Sequence, residues 1–156
     1  MKSEKEVFDS VWGRVSGADA QESVDARSEA GAFIRGELAD AAKYAQLARM
    51  CGSAPAARTL RRLSADEARH ARELRTAYYL AYGESPAPGR RETARPGSLL
   101  GALRKSYWEE LEGAKRYREA AARGGAALYA ELADEETAHA SELSRLISIL
   151  LGGQPS

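Results

Sequence analysis

The chain has 156 residues with 23 basic and 23 acidic side chains, for a formal net charge of +0. This length suits one domain with a sizeable core, and the charge balance excludes the basic footprint of a nucleic-acid binder. The single cysteine, Cys51, excludes a disulfide framework, a Cys-based zinc site and an internal rubredoxin-type iron site.

The chain is rich in Ala, Leu, Glu and Arg and poor in β-branched residues, which favours helix throughout. Met1 to Arg14 carries no apolar stretch of signal-peptide type, and no apolar run approaches the length of a membrane span. The expectation is a cytoplasmic protein with neither membrane nor nucleic acid as a partner. Three segments are expected: 1–20, short and amphipathic; 21–152, a helical bundle; and 153–156, a disordered tail.

In the first segment Val7, Phe8, Val11, Trp12 and Val15 recur at helical spacing. A short helix capping the bundle is the favoured reading, with docking to a partner or second subunit as the alternative. The first long helix is predicted from about Glu22 to Met50. Its stripe is Ala30, Phe33, Ile34, Ala41, Tyr44, Leu47 and Ala48, with Glu37 the one acid inside it. Gly52 and Pro55 then mark a stop and a restart. The second helix runs from about Ala54 to Tyr82 on Leu60, Leu63, Leu74, Ala77, Tyr78 and Ala81, and Glu67 and His70 replace hydrophobes at its centre.

Gly83 to Ser98 contains three prolines and three glycines and reads as neither helix nor strand. A helix of about 28 residues is about 42 Å long, and an extended link of about 16 residues spans roughly 50 Å. The link can therefore run the length of a bundle as one long crossover, leaving the second and third helices parallel. The third helix is predicted from Leu99 to Arg123 on Leu100, Leu103, Tyr107, Ala114, Tyr117 and Ala121, with Glu110 inside the stripe. The fourth runs from about Ala126 to Leu151 on Leu128, Tyr129, Leu132, Leu143, Leu146, Ile147 and Leu150, with Glu136 and His139 at its centre.

The only two histidines of the chain both stand in Glu-x-x-His words, Glu67–His70 and Glu136–His139. Residues three apart project from one helix face. Two such pairs, each with a lone glutamate from another helix, form the ligand set of a carboxylate-bridged di-metal site in a four-helix bundle. The halves of the chain repeat: Glu37-x6-Tyr44 precedes the first word and Glu110-x6-Tyr117 the second. The stripe selects Glu110 over its neighbours. Glu109 falls on a row with Ser106, Gly113 and Arg116, and Glu112 on one with Lys105 and Arg116, both read as solvated.

In the expected arrangement Glu67 and Glu136 bridge two metals, Glu37 and His70 complete one, and Glu110 and His139 complete the other. Oxygen-rich donors with two imidazoles suit two iron ions per chain, or manganese or mixed metals. Tyr44 and Tyr117 read either as ordinary core tyrosines or as hydroxyls that hold a ligand carboxylate. Asp66 and Glu135, four before each histidine, read as surface acids in preference to imidazole partners. Cys51 reads as a thiol without a role.

The doubled Glu-x6-Tyr and Glu-x-x-His pattern, spanning Glu22 to Leu151, resembles the rubrerythrin branch of the ferritin-like superfamily. The resemblance implies a ferritin-like, all-α four-helix bundle with a di-iron centre on the six residues above and with Tyr44 and Tyr117 behind the ligands. It implies an oxidoreductase that reduces peroxide or dioxygen, a peroxidase or ferroxidase linked to oxidative stress, in a homodimer. The chain carries no rubredoxin domain, so electrons would come from an external donor such as a rubredoxin-like protein. Rubrerythrins also carry an extra carboxylate one turn after the third-helix ligand. This chain has Gly113 there, which leans towards a symmetric site. A non-catalytic iron-handling module and a dimanganese catalase-like site are the alternatives.

Overall fold

The computed structural model describes residues 20–87, 89, 95–124 and 127–152. They form four helices: α1 (Ala20–Met50), α2 (Ala54–Tyr82), α3 (Leu99–Gly124) and α4 (Ala127–Gly152). No strand occurs among the described residues. The amphipathic segment read in 1–20 and the tail 153–156 lie outside them, apart from Ala20 at the start of α1.

The helix ends follow from local chemistry. Ser53 caps α2, its hydroxyl accepting from the Ala56 N–H at 3.4 Å, with Pro55 in the first turn where it loses no helical hydrogen bond. Gly83 closes α2 at φ 70°, a left-handed conformation that costs glycine little, and its N–H donates to the Tyr79 carbonyl at 2.8 Å. Ser98 opens α3 by accepting from the Gly101 N–H at 3.1 Å.

The helices pack as two pairs, α1 with α2 and α3 with α4. The pairs touch along two narrower seams, α1 against α3 and α2 against α4. Contacts across the α1/α3 seam join Glu37 to Tyr117 and Tyr44 to Glu110. Those across the α2/α4 seam join Arg62 to Glu142 and Arg69 to Glu135. In each seam residue numbers rise on one helix as they fall on the other, so both seams are antiparallel. α1 and α2 are antiparallel as well, with Arg27 donating to Tyr78 and the Ser64 hydroxyl to the Ala41 carbonyl.

All four helices contribute to two apolar clusters. One holds Phe33, Ile34, Leu74, Tyr117, Tyr129 and Leu132. The other holds Tyr44, Leu47, Leu60, Leu63, Leu103 and Leu143. A layer of buried carboxylates and imidazoles lies between them. Each fully buried leucine contributes on the order of 2 kcal/mol, which offsets the cost of that polar layer.

The buried faces are wider than the predicted stripes because each helix meets two neighbours. Ala56, Ala57, Ala71, Ala133 and Ala140 are buried as well. On α3 the structure corrects three positions: Leu100 is exposed, Ala120 rather than Ala121 is buried, and the row of Ser106 and Gly113 faces inward. No described helix is long and apolar enough to cross a membrane.

Candidate metal centre

Glu37, Glu67, His70, Glu110, Glu136 and His139 all lie in the central layer, each 4% exposed or less. Their donor atoms form two groups, each with all donors within 4.8 Å of one another. One group is Glu37, Glu67, His70 and Glu136; the other is Glu67, Glu110, Glu136 and His139. Glu67 and Glu136 belong to both. The i,i+3 spacing on α2 and on α4 brings each histidine beside the shared glutamate of its own helix.

Each imidazole aims Nδ1 inward. His70 Nδ1 lies 3.1 Å from Glu67, 3.3 Å from Glu37 and 3.4 Å from Glu136. His139 Nδ1 lies 2.9 Å from Glu67 and 3.8 Å from both Glu110 and Glu136. Several of these close atoms are not aligned as donor and acceptor. Glu67 Oε1, Glu110 Oε2, Glu136 Oε1 and His139 Nδ1 are buried without a hydrogen bond. A buried polar atom left unpaired costs about 1–3 kcal/mol. Buried donor atoms that converge without pairing suit a cation within each group, and the four carboxylates would match two divalent charges.

Outward partners hold these side chains in place. The Tyr44 hydroxyl donates to Glu110 and the Tyr117 hydroxyl to Glu37, each crossing from one helix pair to the other. The tyrosines are therefore more than core filling. Asp66 and Glu135 are corrected too. They are partly buried and face imidazoles across the α2/α4 seam. His70 Nε2 lies 2.8 Å from Glu135, and His139 Nε2 lies 3.3 Å from Asp66. A carboxylate behind each ring orients it and raises its basicity.

Burial and mutual proximity shift the protonation of these groups. Burial pushes the Glu37 carboxyl up to about 8, a rise that His70 partly offsets. Burial likewise pushes Glu136 up to about 10 against the pull of His70. Burial would lower His139, but Glu110 and Glu67 outweigh it and push the imidazole up to about 11. His70 is also raised, its carboxylate neighbours overcoming burial. Glu67 moves the other way: burial opposes ionisation, yet His139 and His70 hold it well below the usual carboxylate range. Taken by themselves, these groups share protons to compensate buried negative charge, the role a metal pair would take over.

Arg69 and Lys43 were not singled out from sequence, and Gly113 was singled out only for the carboxylate it lacks. Arg69 binds Glu135, and its Nη2 lies 3.4 Å from His70 Nε2. Lys43 bridges Asp40 at 2.7 Å and Glu109 at 2.9 Å on the α1/α3 seam. A Cβ at Gly113 would come within 3.0 Å of Glu136 Oε2, so the glycine leaves room for that carboxylate. The shared spacing of Asp40-x-x-Lys43 and Asp66-x-x-Arg69 was the available signal for the first two. Cys51 is partly buried beside the α1–α2 turn, with Sγ 3.6 Å from the Ser53 carbonyl.

Comparison with protein-family models, with curated proteins and with solved structures gives no match. The functional reading rests on the residues themselves.

Proposed function

We propose that the chain is a di-iron carboxylate oxidoreductase of rubrerythrin or ferritin-like type, reducing peroxide or dioxygen with electrons from an external donor. The observation that carries this reading is the pair of donor groups that share Glu67 and Glu136 while each keeps its own glutamate and histidine. Glu37 and His70 would complete one metal position, and Glu110 and His139 the other. Bound iron would supply the electrons that cleave the O–O bond. The chain's own residues do the rest. Tyr44 and Tyr117 hold two terminal carboxylates, Glu135 and Asp66 orient the rings, and apolar clusters on both sides of the layer exclude bulk water.

The fold belonging to this reading is a ferritin-like four-helix bundle with one long crossover between α2 and α3. Its support is register: α1 is antiparallel to both α2 and α3, so these two run the same way. The space at Gly113 supports a six-ligand site without the extra carboxylate of rubrerythrin proper, because a side chain there would displace Glu136. Manganese fits the same donors, so a dimanganese catalase-like centre is the second reading.

Stopped-flow mixing of the Fe(II)-loaded protein with peroxide or oxygen tests the proposal. Oxidation faster than that of free Fe(II), sustained with a supplied reductant, is expected. Oxidation no faster than the free ion would remove the enzyme reading and leave a metal-binding module. Metal analysis of protein from its native host separates iron from manganese.

A further inference from the structure

The two metal positions are related by the internal repeat, but their surroundings are not equivalent. His139 is backed by Asp66. His70 is backed by Glu135, and Glu135 in turn is gripped by the Arg69 guanidinium through Nη2 and, at 3.4 Å, through Nη1. Nη2 also lies 3.4 Å from His70 Nε2 and 3.8 Å from Asp66 Oδ1. The residue before His139 on α4 is Ala138, so its own helix sets no cation beside it, and Arg69 reaches it only through Asp66, at 3.8 Å against the direct grip on Glu135.

We infer that Arg69 makes the two positions unequal, weakening divalent-cation binding at the His70 position relative to the His139 position. This rests on the di-metal reading of the site. Two effects act in the same direction. A carboxylate behind a ligating imidazole strengthens it by adding electron density at the far nitrogen. A guanidinium engaging both oxygens of that carboxylate draws the density back. The permanently charged guanidinium also stands next to the His70 ring, on the Nε2 side away from the donor group, and would repel any cation the ring binds. Glu135 approaches its ring more closely than Asp66 does, 2.8 Å against 3.3 Å, and alone would favour His70. The charge of Arg69 reverses that preference. Glu73, 3.2 Å from Arg69 Nη1, occupies part of the guanidinium but is partly exposed and screens it weakly. The consequence is a centre that fills in order, the His139 position first, and that releases or exchanges the His70 ion more readily.

Anaerobic calorimetric titration with Co(II) alone tests this in the full chain and in two variants, Arg69→Met and Arg69→Lys. The wild type should bind two ions in two steps. Arg69→Met should tighten the weaker step by about tenfold, the low end of what outer partners of metal ligands control, and leave the tighter step within about threefold. Arg69→Lys keeps the charge and should keep the weak step weak. A bracing role alone predicts the opposite sign, because a loosened Glu135 would lower affinity. Two equal steps in the wild type, or a weaker step that Arg69→Met leaves unmoved or weakens, would overturn the inference. A wild type that binds no Co(II) would overturn the di-metal reading itself and this inference with it. Circular dichroism of each variant confirms that the helices are intact, and Arg69→Lys supplies the comparison if Arg69→Met fails to fold.

Discussion

Tyr44 on α1 donates its hydroxyl to Glu110 on α3, not to Glu37 on its own helix. Tyr117 reciprocates from α3 to Glu37. Each helix pair therefore holds a carboxylate belonging to the other, and the two bonds tie the pairs together at the level of the site. Replacing either tyrosine by phenylalanine strands a buried carboxylate oxygen. Tyr44→Phe should cost about 1–3 kcal/mol of stability and lower metal affinity about tenfold or more, read by thermal unfolding and metal titration. A variant with unchanged affinity would return the tyrosine to a filling role.

The choice between adjacent acids on α3 is testable in the same way. Glu110 is buried in a donor group, whereas Glu109 is exposed and meets Lys43 at 2.9 Å. Glu110→Ala should reduce the number of ions bound or their affinity. Glu109→Ala should leave both unchanged and cost at most about 1 kcal/mol, the scale of an exposed ion pair. Equal effects from the two would contradict the assignment.

Protonation gives a signed pH dependence. Glu37 is raised from 4.5 to about 8, and Glu136 from 4.5 to about 10. His139 is raised from 6.5 to about 11. A group with a raised folded pKa contributes stability that is fully present below its unfolded pKa and is lost as pH rises through the folded one. Chelator-treated protein should therefore lose stability as pH rises from about 4.5, where the two carboxyls ionise in the unfolded chain, up to about pH 11, where ionised carboxylates crowd the layer and His139 is neutral. Metal binding displaces these protons, so affinity should rise over the same range. Melting temperatures with and without metal at pH 6, 7.5 and 9 check both signs, and a chelated protein that is most stable at pH 9 would contradict them.

Gly113→Ala separates folding from binding. Alanine is the better helix former by about 1 kcal/mol. Its Cβ, however, would come 3.0 Å from Glu136 Oε2, and the carboxylate must move. The expected variant unfolds no more easily than the wild type yet binds metal about tenfold more weakly. Calorimetry and thermal unfolding on one preparation distinguish this from a general loss of packing, in which both would fall.

Much of this was legible from periodicity. The helix boundaries read from Gly52, Pro55, Gly83 and Ser98 agree with the structure to within a residue or two, because stop signals and caps act locally. The single-acid interruptions of apolar stripes led to the residues that converge in the central layer for the same reason: a carboxylate among leucines on one helix face is buried whatever the partner. What escaped depends on relations between helices. Asp66 and Glu135 stand one step around the helix from the buried face, and only the α2/α4 register shows that an imidazole faces each of them. The crossing of the two tyrosine bonds is likewise set by α1/α3 register. Ser106 and Gly113 read as solvated because hydropathy scores them so, whereas closely approaching helices select small residues.

Two donor groups that share Glu67 and Glu136 would hold a pair of metal ions. Anaerobic loading with Fe(II), removal of unbound metal and quantitation of iron per chain test it most directly. The donor groups predict two ions per chain, falling to one or fewer in Glu110→Ala. One ion in the wild type, or none, would contradict a carboxylate-bridged pair.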